Sequence, residues 1–158
     1  MLTFPKTIKM IITDFDGVVT DNCIYIDSNK NTSRKLNFKD IMAFSLLRKN
    51  GYKIGIISGE ANTAIDLINE KFQIEEVHQG IRNKLEILKQ IVEKYSLTQD
   101  EFIYIGDDVN DLESLSYVKY AVTVPNANFK VKQIQGIQLT ENIGGDGAFR
   151  EIVDSIIY

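Results

Sequence analysis

The sequence predicts an α/β fold, a doubly wound parallel sheet with helices on both faces and a small β-hairpin flap. Two observations predict the sheet. Short apolar, β-branched runs recur along the chain, and they alternate with longer stretches of helical spacing. Strand–helix alternation of this kind builds a parallel sheet covered on both sides. The third observation is one segment that breaks the alternation, and it predicts the hairpin.

The run "IKMIIT" (8–13) is too short and too β-branched for a helix, so it reads as a strand. "KIGIIS" (53–58), "IEEVH" (74–78), "FIYIG" (102–106) and "YAVTV" (120–124) read the same way. Residues 40–50, 61–72, 83–95 and 109–116 have helical spacing. In 83–95, for example, Leu85, Leu88, Ile91 and Val92 share one face. Gly51 is placed to stop the first helix. A last helix is expected over 147–157, and Asn126 to Lys132 reads as a short helix near the sheet edge. In 22–38, two extended runs flank the turn-forming "DSNKN" (27–31), a hairpin signal. That flap is too small to be a separate cap domain. No repeat, low-complexity tract or Pro/Gly-rich linker divides the chain, so residues 1–158 are expected to form one domain.

The chain is 44% hydrophobic and 25% charged, enough apolar residues for a real core. Its net charge of −4, with no basic stretch, argues against nucleic acid, whose phosphates need a positive face. Cys23 is the single cysteine, so no internal disulfide can form, which suits a reducing cytoplasm; it reads as a small strand residue. No apolar run approaches the roughly twenty residues that span a membrane, and "MLTFPKTIKM" lacks the apolar core of a signal peptide. A cytoplasmic protein is expected.

Parallel sheets of this class bind ligands at the carboxyl ends of their strands. The residues just after the strands therefore belong together. Asp14 and Asp16 follow the first strand with one residue between them. They can cap a turn, but two carboxylates so close repel unless a cation intervenes or one holds a proton. In "YIGDDVND" (104–111), Gly106 lets the chain turn and Asp107, Asp108 and Asp111 follow. Acids at a helix start also suit the helix dipole. Two acidic strand ends facing each other require a metal, and a hard cation such as Mg²⁺ takes oxygen ligands. Ser58 and Gly59 lie between strand and helix; the serine can cap the helix, bind a phosphate oxygen, or both. Lys84 opens a helix where the dipole disfavours a cation; it is either a solvated charge or a lysine that reaches the acid cluster, where it would neutralise a phosphate. His78, the lone histidine, has no second histidine to join it in a metal site and reads as structural.

"DFDGVVTD", "SG", "NK" and "GDDVND" occur in an order and spacing that resembles the haloacid dehalogenase superfamily of phosphotransferases, whose core is Rossmann-like. The hairpin and "GGDGAFRE" (144–151) resemble the small capless branch that contains the 3-deoxy-D-manno-octulosonate 8-phosphate phosphatases. The resemblance implies a Mg²⁺-dependent phosphatase. Asp14 would be the nucleophile that forms an aspartyl-phosphate, and Asp16 the general acid and base. Metal ligands would be Asp14, the backbone carbonyl of Asp16, and Asp107, with Asp108 nearby through water. Ser58, Gly59 and Lys84 would grip the phosphate, and Asp111 would position Lys84 or Ser58. Arg150 would contact the substrate or a neighbouring subunit. The branch assembles as homotetramers through the hairpin, with a neighbour closing each site, so a homotetramer centred on 22–38 is expected.

The octulosonate phosphatases usually read S-G-R after the second strand, whereas this chain reads Ser58-Gly59-Glu60. A glutamate cannot pair with a sugar acid's carboxylate but accepts hydrogen bonds from hydroxyls. It resembles the phosphatases of nine-carbon 2-keto acids, 2-keto-3-deoxynononate 9-phosphate or N-acylneuraminate 9-phosphate. A nine-carbon ester of sialic acid type is therefore the first expectation, and the eight-carbon ester the alternative. Two other classes share parts of the pattern: a phospho-receiver domain, and a non-catalytic module that assists a sugar-acid cytidylyltransferase.

Overall fold

The computed structural model describes residues 2–158. Strand β1 (Met10–Thr13) leads into an antiparallel hairpin of β2 (Tyr25–Ile26) and β3 (Thr32–Ser33). Helix α1 (Phe38–Lys49), β4 (Lys53–Ile57), α2 (Thr63–Phe72), β5 (Glu76–His78) and α3 (Lys84–Lys94) follow. Then come β6 (Phe102–Ile105), α4 (Leu112–Tyr117), β7 (Ala121–Thr123), β8 (Gln138–Leu139) and α5 (Ala148–Ile157). The sheet order is β5-β4-β1-β6-β7-β8, parallel throughout. The chain winds outward from β1 to one side, then returns and winds to the other. The loops after β1 and β6 thus flank the point where the winding reverses, the crevice in which such sheets bind ligands.

Alternation along the strands builds a core on each face. Ile11, Ile54, Ile56, Ile103 and Ile105 pack with Phe44, Ile65, Ile68 and Phe149 of α1, α2 and α5. Met10, Ile12, Phe102 and Tyr104 pack with Leu88, Ile91 and Leu115 of α3 and α4. The central strands are buried on both faces, which is why they read as unbroken apolar runs. Phe44 carries α1 onto its neighbours, with ring centroids 4.7 Å from Phe149 and 5.8 Å from Phe72.

Helix α1 ends where the sequence places its stop. Gly51 has φ +78, and the amides of Gly51 and Tyr52 close back on the carbonyls of Arg48 and Leu47. Two expectations are revised, and one strand is added. The segment 109–116 begins as a 3₁₀ turn over Val109–Asp111 before α4, and only Val131–Gln133 of the segment 126–132 is helical, again as a 3₁₀ turn. Strand β8, two residues without an apolar run, was not expected. No helix among the described residues is long and apolar enough to cross a membrane.

Asp40 had no role in the sequence reasoning, yet it is fully buried and joins α1 to the start of α5. Its two oxygens accept from the amides of Gly147 and Arg150 at 3.0 Å each. Burial still pushes its carboxyl up, against those bonds. An Asp40→Ala chain leaves two amides at a helix start without partners, a cost of about 1–3 kcal/mol. Urea titration of the two chains measures that difference.

Candidate active site

The carboxyl edge of β1, β4 and β6 gathers the acidic strand ends. Asp14 and Asp107 are buried, and Asp111 is wholly so. Oxygens of these three carboxylates lie within 4.8 Å of one another. Gly17 makes the convergence possible: it has φ +91, and a Cβ there would overlap the Asp107 carboxylate.

Lys84 is the counter-charge. Its side chain is fully buried, with Nζ 2.7 Å from Asp14 Oδ2 and 2.8 Å from Asp111 Oδ1. It sits in the first turn of α3, capped by Asn83, so the carboxylates hold the ammonium there against the helix dipole. Burial pulls the Lys84 pKa down, but Asp14 and Asp111 outweigh it and the net shift is upward.

Asp111 is saturated. Its Oδ1 accepts from Lys84 and from Tyr104 Oη (2.7 Å), and its Oδ2 from the amides of Asp107 (3.2 Å) and Asp108 (3.3 Å). With each oxygen taken by two donors, Asp111 fits the role of a brace better than that of a metal ligand. Asp14 and Asp107 are the less satisfied pair. Burial, then Asp111, drives Asp14 well above the usual carboxylate range, against the pull of Lys84. Burial, then Asp111 and Asp108, lifts Asp107 to about 7. A divalent cation between them reverses that balance and favours both carboxylates ionised. The donor set is all oxygen, which suits Mg²⁺ rather than a thiophilic metal.

Asp16 stands apart from this cluster. Its Oδ1 accepts from Thr20 Oγ1 at 3.0 Å and from Arg34 Nε at 2.8 Å, while Asn62 Nδ2 lies 3.5 Å from Oδ2. Asp14, Asp16, Ser58, Gly59, Glu60, Asp107 and Asp108 line one cleft, joined by Asn22 and Asn110. The two asparagines were passed over in sequence because they are uncharged, although Asn110 lies inside "GDDVND". Ser58 is not a helix cap, since Asn62 caps α2. Its Oγ donates to the carbonyl of Glu60 at 2.8 Å and faces the cleft. Asp108 is exposed, with Oδ1 accepting from Val109 N at 2.7 Å. The His78 ring meets Glu76 at 2.8 Å, and its carbonyl accepts from Ser58 N at 2.9 Å.

Arg150 lies elsewhere. It pairs with Asp154 at 2.7 Å and lines a separate cavity with Lys39, Glu151 and Tyr158 that shares no residue with the cleft. The glycines of "GGDGAFRE" do reach the site. Gly145 N donates to Val18 O at 3.0 Å, and a Cβ at Gly144 or Gly145 would overlap the backbone of residues 17–21.

The model of the haloacid dehalogenase-like hydrolases matches residues 19–152. The chain belongs to this family. It is 26% identical over 157 residues to the 3-deoxy-D-manno-octulosonate 8-phosphate phosphatase KdsC of Salmonella typhi, an alignment covering 99% of this chain and 83% of that one. Among solved structures it resembles the same-named phosphatase of Moraxella catarrhalis, solved with magnesium, phosphate and the octulosonate, at TM-score 0.89 and 27% identity, covering 96% of this chain and 87% of that one. It also resembles the cobalt-bound phosphatase of Haemophilus influenzae, at TM-score 0.87 and 26% identity, covering 96% and 88%. The family membership makes the chain a hydrolase. The phosphatases it resembles act on a phosphate monoester, one of them solved with magnesium, and the all-oxygen donors around Asp14 and Asp107 fit that ion.

Replacing Lys84 leaves buried carboxylates without their cation. Lys84→Met should lose about 3–5 kcal/mol of stability in EDTA. The variant should gain more from saturating Mg²⁺ than the parent does, because the ion supplies the missing charge. Thermal melts with and without Mg²⁺ test this, and equal gains would contradict it.

Proposed function

We propose that the chain hydrolyses the phosphate monoester of a 2-keto-3-deoxy sugar acid through an aspartyl-phosphate on Asp14. The observation that carries this is the convergence of Asp14, Asp107 and Lys84 beneath a cleft that Asp16 also lines. Phosphate ester hydrolysis is very slow uncatalysed, so it needs both an activated nucleophile and fixed countercharge. Mg²⁺ supplies charge neutralisation between phosphate and carboxylates, and Asp14, the Asp16 carbonyl and Asp107 would hold it, with Asp108 in support. Asp14 attacks phosphorus. Lys84 is within reach of any phosphoryl oxygen carried on Asp14. Ser58 and Gly59 line the same cleft, and Asp111 holds Lys84. Asp16 gives its proton to the departing alkoxide and then takes one from the water that frees Asp14.

The cleft holds about 120 Å³, enough for a phosphoryl group, whereas whole-ligand pockets run to about 300 Å³ or more. The sugar acid must therefore extend past its mouth. The relatives favour 3-deoxy-D-manno-octulosonate 8-phosphate as the ester. Glu60 supports the nine-carbon alternative, because its exposed carboxylate lines the cleft mouth where extra hydroxyls would lie. The ratio of kcat/KM for the two esters decides between them. Glu60→Arg should move that ratio toward the eight-carbon acid, and Asp14→Asn should abolish turnover of both. Near-normal hydrolysis by Asp14→Asn would sink the mechanism.

The hairpin supports a homotetramer as the working form. Ile24, Tyr25 and Ile26 are 53%, 51% and 68% exposed, an apolar strip that a second copy would cover. With its single free cysteine the enzyme suits the cytoplasm. Sedimentation at micromolar concentration is expected to show a tetramer that Ile26→Asp dissociates, and a monomeric parent chain would rule the assembly out.

A further inference from the structure

The link between the hairpin and Asp16 has a chemical consequence. Arg34 follows β3 directly, on the arm that returns from the flap. Its side chain is only 10% exposed, and its Nε donates to Asp16 Oδ1 at 2.8 Å. Thr20 Oγ1 donates to the same oxygen at 3.0 Å. A carboxylate oxygen held by two donors from different directions cannot turn freely. The other oxygen, Oδ2, has only the 3.5 Å approach of Asn62 Nδ2.

We propose that Arg34 is a positioning residue that clamps Asp16 by Oδ1, so that Oδ2 is the oxygen that passes the proton to the leaving group. This rests on the phosphatase reading above and adds a division of labour between the two oxygens. In the step, the P–O bond to the sugar breaks as Asp14 bonds to phosphorus. The electron pair goes to the ester oxygen, and the proton on Asp16 Oδ2 moves to that oxygen, leaving Asp16 as a carboxylate and the sugar acid as an alcohol. An arginine suits the clamp because Nε–H points in a fixed direction from a planar group, which a flexible ammonium does not reproduce. Since Arg34 belongs to the hairpin arm, whatever holds the flap also holds the proton donor.

The test separates proton donation from every other contribution. kcat/KM reports the steps through departure of the leaving group. A sugar alkoxide needs protonation as it leaves, whereas p-nitrophenolate does not. Arg34→Met is therefore expected to lower kcat/KM for the sugar-acid phosphate by roughly 10- to 100-fold, a share of the usual worth of general acid catalysis. For p-nitrophenyl phosphate the fall should stay within about threefold, since no proton is needed there. Arg34→Lys should recover only part of the loss on the sugar ester. Equal losses on both esters would mean that Arg34 merely supports the fold or binds phosphate, and would overturn the proposal, as would an unchanged sugar-ester rate. A parent enzyme that turns over neither ester overturns the phosphatase reading itself. A parent active on both with no leaving-group dependence in Arg34→Met overturns the clamp alone.

Discussion

The site depends on one buried ammonium. Three aspartates meet at one edge of the sheet, and without a cation among them the edge would be unstable. Lys84 meets two of them directly. That contact explains why a lysine occupies the unfavourable end of α3, and why Tyr104 and two amides are spent on Asp111. Each fixes Asp111, and Asp111 fixes Lys84. Even so the compensation is incomplete, because burial keeps Asp14 and Asp107 above the usual carboxylate range. The remaining deficit has the sign and position of a divalent cation. A protein site that is only partly neutralised by itself is one in which metal binding restores the reactive charge state.

The same balance sorts the acids by function. Asp111 has two donors on each oxygen, whereas each oxygen of Asp14 has one, from Phe15 N or Lys84, and Asp16 is held outside the cluster by different donors. Proximity alone would assign Asp14, Asp107 and Asp111 to a metal together. Counting donors on each oxygen instead leaves Asp111 as a brace. It is the donor count, set by Tyr104 and the turn at Gly106, that separates carboxylates which look equivalent in the sequence.

The parallel sheet was legible because β1, β4 and β6 are buried on both faces and their apolar runs are therefore continuous. The hairpin was legible from its turn residues. Strand β8 was not, because Gln138–Leu139 pairs at the sheet edge and needs no apolar run. Of the site, the residues just after the strands could be read together, since topology brings strand ends together whatever the loops do. Arg34 and Asp40 could not. Arg34 lies 18 residues from Asp16, and Asp40 lies 107 residues from Gly147, so each acts through a contact that no local pattern announces.

The C-terminal glycines show why a motif near a site need not supply its chemistry. Arg150 points into a cavity that shares no residue with the cleft, although it stands in the most distinctive stretch of the C-terminal sequence. What reaches the site is backbone. Gly144 and Gly145 press so closely on residues 17–21 that a side chain on either would displace that loop, and the Gly145 amide is bonded to Val18. Val18 lies between Gly17, which makes room for Asp107, and Thr20, which holds Asp16. Asp40 in turn pins the start of α5 just behind these glycines. The loop that sets both aspartates of β1 is thus held from behind by the chain's last helix and from the side by Arg34 of the hairpin. Of these two supports, the first is packed backbone, and the second is a single ion pair between half-buried side chains, so the hairpin side holds Asp16 through one contact where the helix side holds its loop through many.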